Sequence, residues 1–229
     1  RGVARSGVCT ALELMVDALA RTLAIEPTAV RLNSLVRPEQ MPFDNITHKQ
    51  FDSGDYPESL RRAIDAVDLV SIRERQRRGE ADGRHIGVGF AMYSEQCAHG
   101  TTVYAGWGIP MVPGHEQCSA RLTPDGGLEL RIGAHSHGQG LETTLAQVAH
   151  EILGIGVDQV RLVHGDTALT PYSTGTWGSR CIVWAGGAAA SACGEIASRV
   201  SRIGARLLQT DEDSVASVSY TLLTLPPKA

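Results

Sequence analysis

His135, Ser136, His137, Gly138, Gln139 and Gly140 stand in one run, "HSHGQG", directly before a helical apolar pattern, and three chemistries compete for them. Two histidines at i and i+2 on a strand face the same side and could share a metal ion, with His99 or His115 as further ligands. No cysteine or carboxylate stands beside them at ligand spacing. Ser136 follows Gly133 by three residues, which departs from the G-x-S-x-G elbow that exposes a nucleophilic serine. The third chemistry belongs to the backbone. Gly138 and Gly140 flank Gln139 where the helix begins, so unpaired N–H groups and the positive helix end would meet an anionic ligand without side-chain obstruction. The Gln139 amide, with one acceptor and one donor end, can bond an oxo group or a heterocycle edge without altering the local charge. A glycine-flanked helix start also serves as a plain tight turn.

A second loop of similar texture, "HGDTALTPYSTGTWGSR" over 164–180, precedes an Ala-rich helical stretch. Two glycine loops, each opening a helix, could converge on one polyanion; Thr176 or Ser179 could equally be simple N-caps.

The elements that must carry these loops follow from periodicity. Leu12, Met15, Val16, Leu19 and Leu23 recur at helical spacing, with Asp17 and Arg21 opposite, and predict a helix buried along that stripe. A shorter apolar stripe follows Pro27. An acidic start, Pro57 in the first turn and the series Leu60, Ile64, Val67, then Leu69 or Val70, predict one helix of about five turns ending at the glycine of "RRGE". After Gly83 the texture turns to strand: "HIGVGFAMYSEQ", "TTVYAGW" and "SARLTPDGGLELRI", the last a hairpin through Pro124, Asp125, Gly126 and Gly127. A helix over 138–154, a short strand in "DQVRLVHGD" and a long Ala-rich helix complete the order. The fold class expected is α+β, a mixed or antiparallel sheet with packed helices. Residues 1–83 form a helical segment, 84–209 the α+β portion, and 210–229 a tail expected to be exposed and partly disordered.

Composition excludes some classes. A formal charge of -4 and a single mixed basic run, "RERQRRGE", offer no footing for nucleic acid, and that run reads as a solvated helix end. No membrane span is expected. Five cysteines without a C-x-x-C indicate neither a disulfide framework nor a zinc knuckle, and the expected location is a reducing, cytoplasmic one.

Three ordered stretches, "RGVARSG" at 1–7, "AHSHGQGLETTLAQVAHEILG" at 134–154 and "VHGDTALTPYSTGTWGSR" at 163–180, resemble the large subunit of the xanthine oxidase family of molybdenum hydroxylases. The texture is nearest to the large subunits grouped with aerobic carbon monoxide dehydrogenase. The resemblance implies a molybdenum held by a molybdopterin, in its cytosine dinucleotide form, with no direct protein ligand to the metal. It implies hydroxylation of an aldehyde or aromatic N-heterocycle with water as oxygen source. Electrons would leave through an iron-sulfur small subunit and an FAD medium subunit.

Carried over by position, Gly138, Gln139 and Gly140 would sit at the pterin, and Thr176, Gly178 and Ser179 would line the cofactor. Arg1 and Gln139 would orient the reactants, and glycine at 178 would let the backbone approach the metal. Two positions depart from the pattern. The general-base glutamate of the family lies in a G-x-G-E motif beyond the stretch matched here, and Glu195 of "SACGEIAS" reads as a helix-surface carboxylate. Gly2 follows Arg1 where carbon monoxide oxidisers carry a copper-binding cysteine, so copper is not expected. The first residue is Arg1 and not Met, and the chain is expected to be a fragment, inactive alone. The alternatives are a non-catalytic α+β module that binds an anion or a protein partner, a carbon monoxide dehydrogenase-type activity, and a zinc hydrolase built on His135 and His137.

Overall fold

The computed structural model describes residues 2, 4–112, 114–217 and 223–224, in two compact units that divide between Glu95 and Gln96. The first unit holds helices α1 (Arg5–Leu23), α2 (Pro27–Ser34), α3 (Tyr56–Ala66) and α4 (Leu69–Arg78), with a short antiparallel pair, β1 (Phe43–Asp44) and β2 (Gln50–Phe51).

The expected buried stripe of α1 is exposed: Leu12, Met15, Leu19 and Leu23 are 49–68% accessible. The face turned inward carries Glu13, Asp17 and Ala20 instead. Arg31 of α2, 3% exposed, pairs with Glu13 at 2.6 Å and Asp17 at 2.9 Å. A buried guanidinium must be matched by carboxylates, and that requirement chose the face. The same Arg31 donates to the Phe90 carbonyl at 2.9 Å, and Glu13 accepts from the Met92 N–H at 3.1 Å. Residues 84–95 therefore group with the first unit. Ile86, Val88, Phe90 and Met92 keep their strand-like alternation, half-buried between exposed neighbours, but no strand ladder forms there, because side chains of α1 and α2 take up backbone groups that a neighbouring strand would otherwise pair.

The single five-turn helix expected over the "YPESLRRAIDAV…" stretch is two. Asp68 adopts φ 48 and caps α4 by accepting from the Ser71 N–H at 3.2 Å, which interrupts the path between Ala66 and Leu69. Asp55 caps α3 in the same way through Glu58, and Gly79 closes α4 with φ 79.

In the second unit, α5 (Thr101–Gly106) replaces the strand expected from "TTVYAGW". Its β-branched and aromatic residues suit a strand, yet Tyr104 is buried against Trp107 and Trp177 at ring-centroid distances of 5.2 and 4.8 Å, and packing overrides the propensity. The sheet has the order β3 (Cys118–Leu122), β4 (Leu128–Ile132), β5 (Val160–Val163). The hairpin β3–β4 is antiparallel with Leu122 opposite Leu128, as its Pro-Asp-Gly-Gly turn predicts, and β4–β5 is parallel, so the sheet is mixed. The fold class is the α+β arrangement of mixed sheet and packed helices.

Leu128, Leu130 and Ile132 project from one face of β4 into a core with Leu145 and Ala149 of α6 (Leu141–Leu153) and Ala185, Ala189 and Cys193 of α7 (Cys181–Leu208). The alanines and cysteine lie four residues apart on α7, a small-residue seam that lets α6 approach closely. By length and composition alone α7 holds a window apolar enough to cross a membrane, but the small-residue seam of that helix lies in the core. Of the tail, Glu212–Ser214 forms a turn of 3-10 helix and β6 (Ala216–Ser217) pairs antiparallel with β7 (Leu223–Thr224). The disorder expected for the rest of the tail concerns residues 218–222 and 225–229, which lie outside the described residues.

Candidate functional site

Both glycine loops leave the sheet at one edge. Because β4 and β5 run parallel, with Arg131 beside Val163, the segment after Ile132 and the segment after Val163 emerge at the same ends of neighbouring strands. An antiparallel pairing would have sent them to opposite edges. Outside the carboxyl ends of parallel strands is where α/β proteins commonly seat ligands.

The loops then fasten to each other. The Thr176 hydroxyl accepts from the His135 N–H at 2.8 Å and donates to the His135 carbonyl at 2.7 Å. Upstream, a Cβ at Gly133 would lie 2.3 Å from Ser173 Cβ and 2.5 Å from the Pro171 carbonyl, so only glycine permits this approach.

Beneath the second loop lies a buried charge pair, of which the sequence patterns single out neither member. The Arg180 side chain is fully buried and meets Glu116, whose side chain is 1% exposed, at 3.2 Å. Arg180 also donates to the carbonyls of Gly175 at 2.7 Å and His115 at 2.8 Å, while its Nε has no hydrogen-bond partner among the described residues. Glu116 accepts from Ser173 Oγ at 2.7 Å, and Ser173 Oγ in turn accepts from the Gly175 N–H at 2.9 Å. The loop is thus tied from below at 173, 175 and 180. A charged residue ending a Gly/Ser/Thr loop just before an apolar helix was the available sign.

At the loop's far end Gly178 (φ 60) and Ser179 (φ 52) are successive left-handed residues. The Gly178 carbonyl is 2.7 Å from Nδ1 of His99, a side chain 2% exposed.

In the first loop, Gly138 (φ 88) and Gly140 (φ 79) bracket Gln139, and a Cβ at 140 would meet nothing within 4 Å. Gln139 Oε1 accepts from the His137 N–H, which orients the amide and leaves its Nε2 hydrogens with no partner among the described residues. The start of α6 is less open than its glycines suggest. Gly140 supplies no side-chain cap, but Glu142 in the first turn accepts from its own backbone N–H, which holds its carboxyl below the usual value, helped by Ser136 and by His164 at 3.0 Å.

His135 and His137 are exposed, with ring centroids 4.7 Å apart, and among the described residues no group of three or more His, Cys, Asp or Glu is placed to hold a metal ion. His99 is engaged by Gly178, and His115 stacks near Tyr172 at 5.6 Å. Glu195 is an exposed helix carboxylate, 3.5 Å from Arg199 one turn on. Arg1 lies outside the described residues.

Residues 62–222 match the model of the molybdopterin cofactor-binding domain. The chain is 33% identical to the carbon monoxide dehydrogenase large chain of Hydrogenophaga pseudoflava over 208 residues, 89% of this chain and 26% of that one. It is 28% identical to the nicotine 6-hydroxylase large subunit of Paenarthrobacter nicotinovorans, over 94% of this chain and 26% of that one. Its fold superimposes on quinoline 2-oxidoreductase from Pseudomonas putida 86 with a TM-score of 0.76 at 28% identity, covering 95% of this chain and 27% of that one. The chain belongs to the molybdopterin-binding large subunits of the xanthine oxidase family of molybdenum hydroxylases, a family of oxidoreductases, and spans about a quarter of the length of these relatives. The residues present fit that cofactor, whose oxygens and ring nitrogens accept hydrogen bonds. Gln139 offers amide hydrogens without a partner among the described residues, position 140 opens onto space, and no acidic residue stands in sequence between Ser173 and Arg180.

Proposed function

We propose that this chain is part of the large subunit of a molybdopterin-dependent hydroxylase that oxidises an aldehyde or an aromatic N-heterocycle with water as oxygen source. The observation that carries the proposal is the fastening of the two glycine loops at His135 and Thr176, at the strand edge where ligands bind. The heterocycle choice is supported by relatives whose names specify nicotine and quinoline as substrates, and by Gly2 standing where carbon monoxide oxidisers carry a copper-binding cysteine.

When bound, the cofactor, in its cytosine dinucleotide form, supplies the two-electron oxidation. The protein supplies position. Gln139 donates its Nε2 hydrogens to an oxygen of the cofactor or to the oxyanion that develops on the substrate, and the His137 N–H holds the amide in that sense. Gly138 and Gly140 give the left-handed turns that bring Gln139 to the surface. Thr176 sets the separation of the two loops, and Gly178 and Ser179 line the cofactor with backbone. Arg1 orients the reactants, as the resemblance to the family implies. The general base comes from a part of the large subunit beyond this stretch, and electrons pass to an iron-sulfur small subunit and an FAD medium subunit.

The test is elemental analysis of the full-length protein purified with its companion subunits. Molybdenum near one per chain is expected, with Gln139→Ala lowering cofactor retention or turnover, and label from isotopic water appearing in the product. No metal would favour a non-catalytic anion-binding module; zinc would favour the hydrolase built on His135 and His137; turnover of carbon monoxide alone would overturn the substrate class.

A further inference from the structure

We propose that His99 is a positioning residue that holds the Gly178–Ser179 turn in its left-handed form through a hydrogen bond from Nδ1–H to the Gly178 carbonyl. The inference rests on the proposal that this turn lines the cofactor.

Two successive residues with positive φ, one of them not glycine, are an unfavourable backbone that persists only where the surroundings impose it. The segment Ala98–Gly100 does so residue by residue. The Ser179 carbonyl accepts from the Ala98 N–H at 3.2 Å, and the Gly178 carbonyl accepts from His99 Nδ1 at 2.7 Å. A carbonyl oxygen can only accept, so the proton is on Nδ1 and the tautomer is fixed by this contact. The segment is itself anchored. Trp184 Nε1 donates to the Ala98 carbonyl at 3.4 Å, and a Cβ at Gly100 would lie 2.6 Å from the Trp184 ring. The His99 ring is 2% exposed and rests beside Trp107 and Tyr104, at centroid distances of 5.1 and 6.0 Å, so it has little freedom to swing away. Contact with Gly178 is close enough that a Cβ there would lie 2.9 Å from Nδ1. Any side chain at 178 and any displacement of His99 therefore act on the same turn.

A residue that merely filled the aromatic cluster would behave differently from one that supplies the donor, and two substitutions separate them. His99→Asn keeps a side-chain N–H close to the place of Nδ1 and discards the ring; His99→Phe keeps the ring and discards the donor. In the full-length protein with its companion subunits, molybdenum per chain, backbone hydrogen exchange over 174–184, and kcat separately from KM are to be compared. For His99→Phe, exchange over that segment is expected to quicken and cofactor content or kcat to fall by about tenfold, as loss of one half-buried hydrogen bond implies. His99→Asn should remain within about threefold of wild type on the same measures. Wild-type behaviour in His99→Phe, or an equal or greater loss in His99→Asn, would overturn the assignment. A wild-type protein without molybdenum would sink the hydroxylase proposal instead, and the exchange comparison would still decide whether His99 holds the turn.

Discussion

Thr176 and His135 are joined by two hydrogen bonds through one hydroxyl, which accepts from the His135 N–H at 2.8 Å and donates to its carbonyl at 2.7 Å. Forty-one residues of sequence separate them. Thr176→Val keeps the shape and removes both bonds, leaving two backbone groups to find water. A loss of about 1–3 kcal/mol in unfolding free energy is expected, with Thr176→Ser close to wild type. Equal stability of Thr176→Val and wild type in urea titration would show that the clasp contributes nothing.

The pair Glu116–Arg180 calls for a double-mutant cycle. With side chains 1% and 0% exposed, removing either partner leaves a buried charge, at a cost of about 3–5 kcal/mol. Glu116→Leu and Arg180→Met should each destabilise by that order, and the double variant by less than their sum. Strict additivity would mean that the two side chains do not act as a pair.

Gly133→Ala is expected to destabilise by about 1–3 kcal/mol, because the new methyl meets the Ser173 Cβ and the Pro171 carbonyl rather than a flexible side-chain end. Gly140→Ala faces open space and carries only the strain of φ 79, so it should be the milder change. A reversed order in thermal unfolding would contradict the close approach of the two loops.

Burial pushes the Cys118 thiol from its ordinary 9.0 up to about 12, with the Cys193 thiol adding to the effect. A folded thiol that keeps its proton while the unfolded chain loses it gives stability that falls as pH rises from about 9 toward 12. Chemical unfolding at a series of alkaline pH values should therefore show a shallower decline in Cys118→Ala than in wild type. Alkylation of the native chain should reach the exposed Cys97 before the buried Cys181 and Cys193.

How far the sequence spoke can be judged element by element. The hairpin through Gly126 and Gly127 was legible because turn chemistry is local, and so was the helix that Gly140 opens and Gly154 closes. The glycine loops could be recognised as a pair from motif order. Their contact could not, since it depends on β4 and β5 being parallel, which no local pattern records. The orientation of α1 was misread for a related reason: Leu12, Met15 and Leu19 make an apolar stripe, but Arg31, fourteen or more residues away in sequence from Glu13 and Asp17, decides which face is covered. Tyr104 illustrates the same limit, its strand propensity yielding to the rings of Trp107 and Trp177. His99 carries no motif of its own, and Arg180 shows in sequence only as the end of the second glycine stretch; what each of them holds appears only in three dimensions.

Adjacent strands of a sheet sit about 4.8 Å apart whatever their side chains. With β4 and β5 as neighbours, the roots of the two loops are kept at that interval by main-chain bonding alone, like two fingers of one hand. Side chains beyond the roots can then be exchanged without re-engineering the frame that presents them.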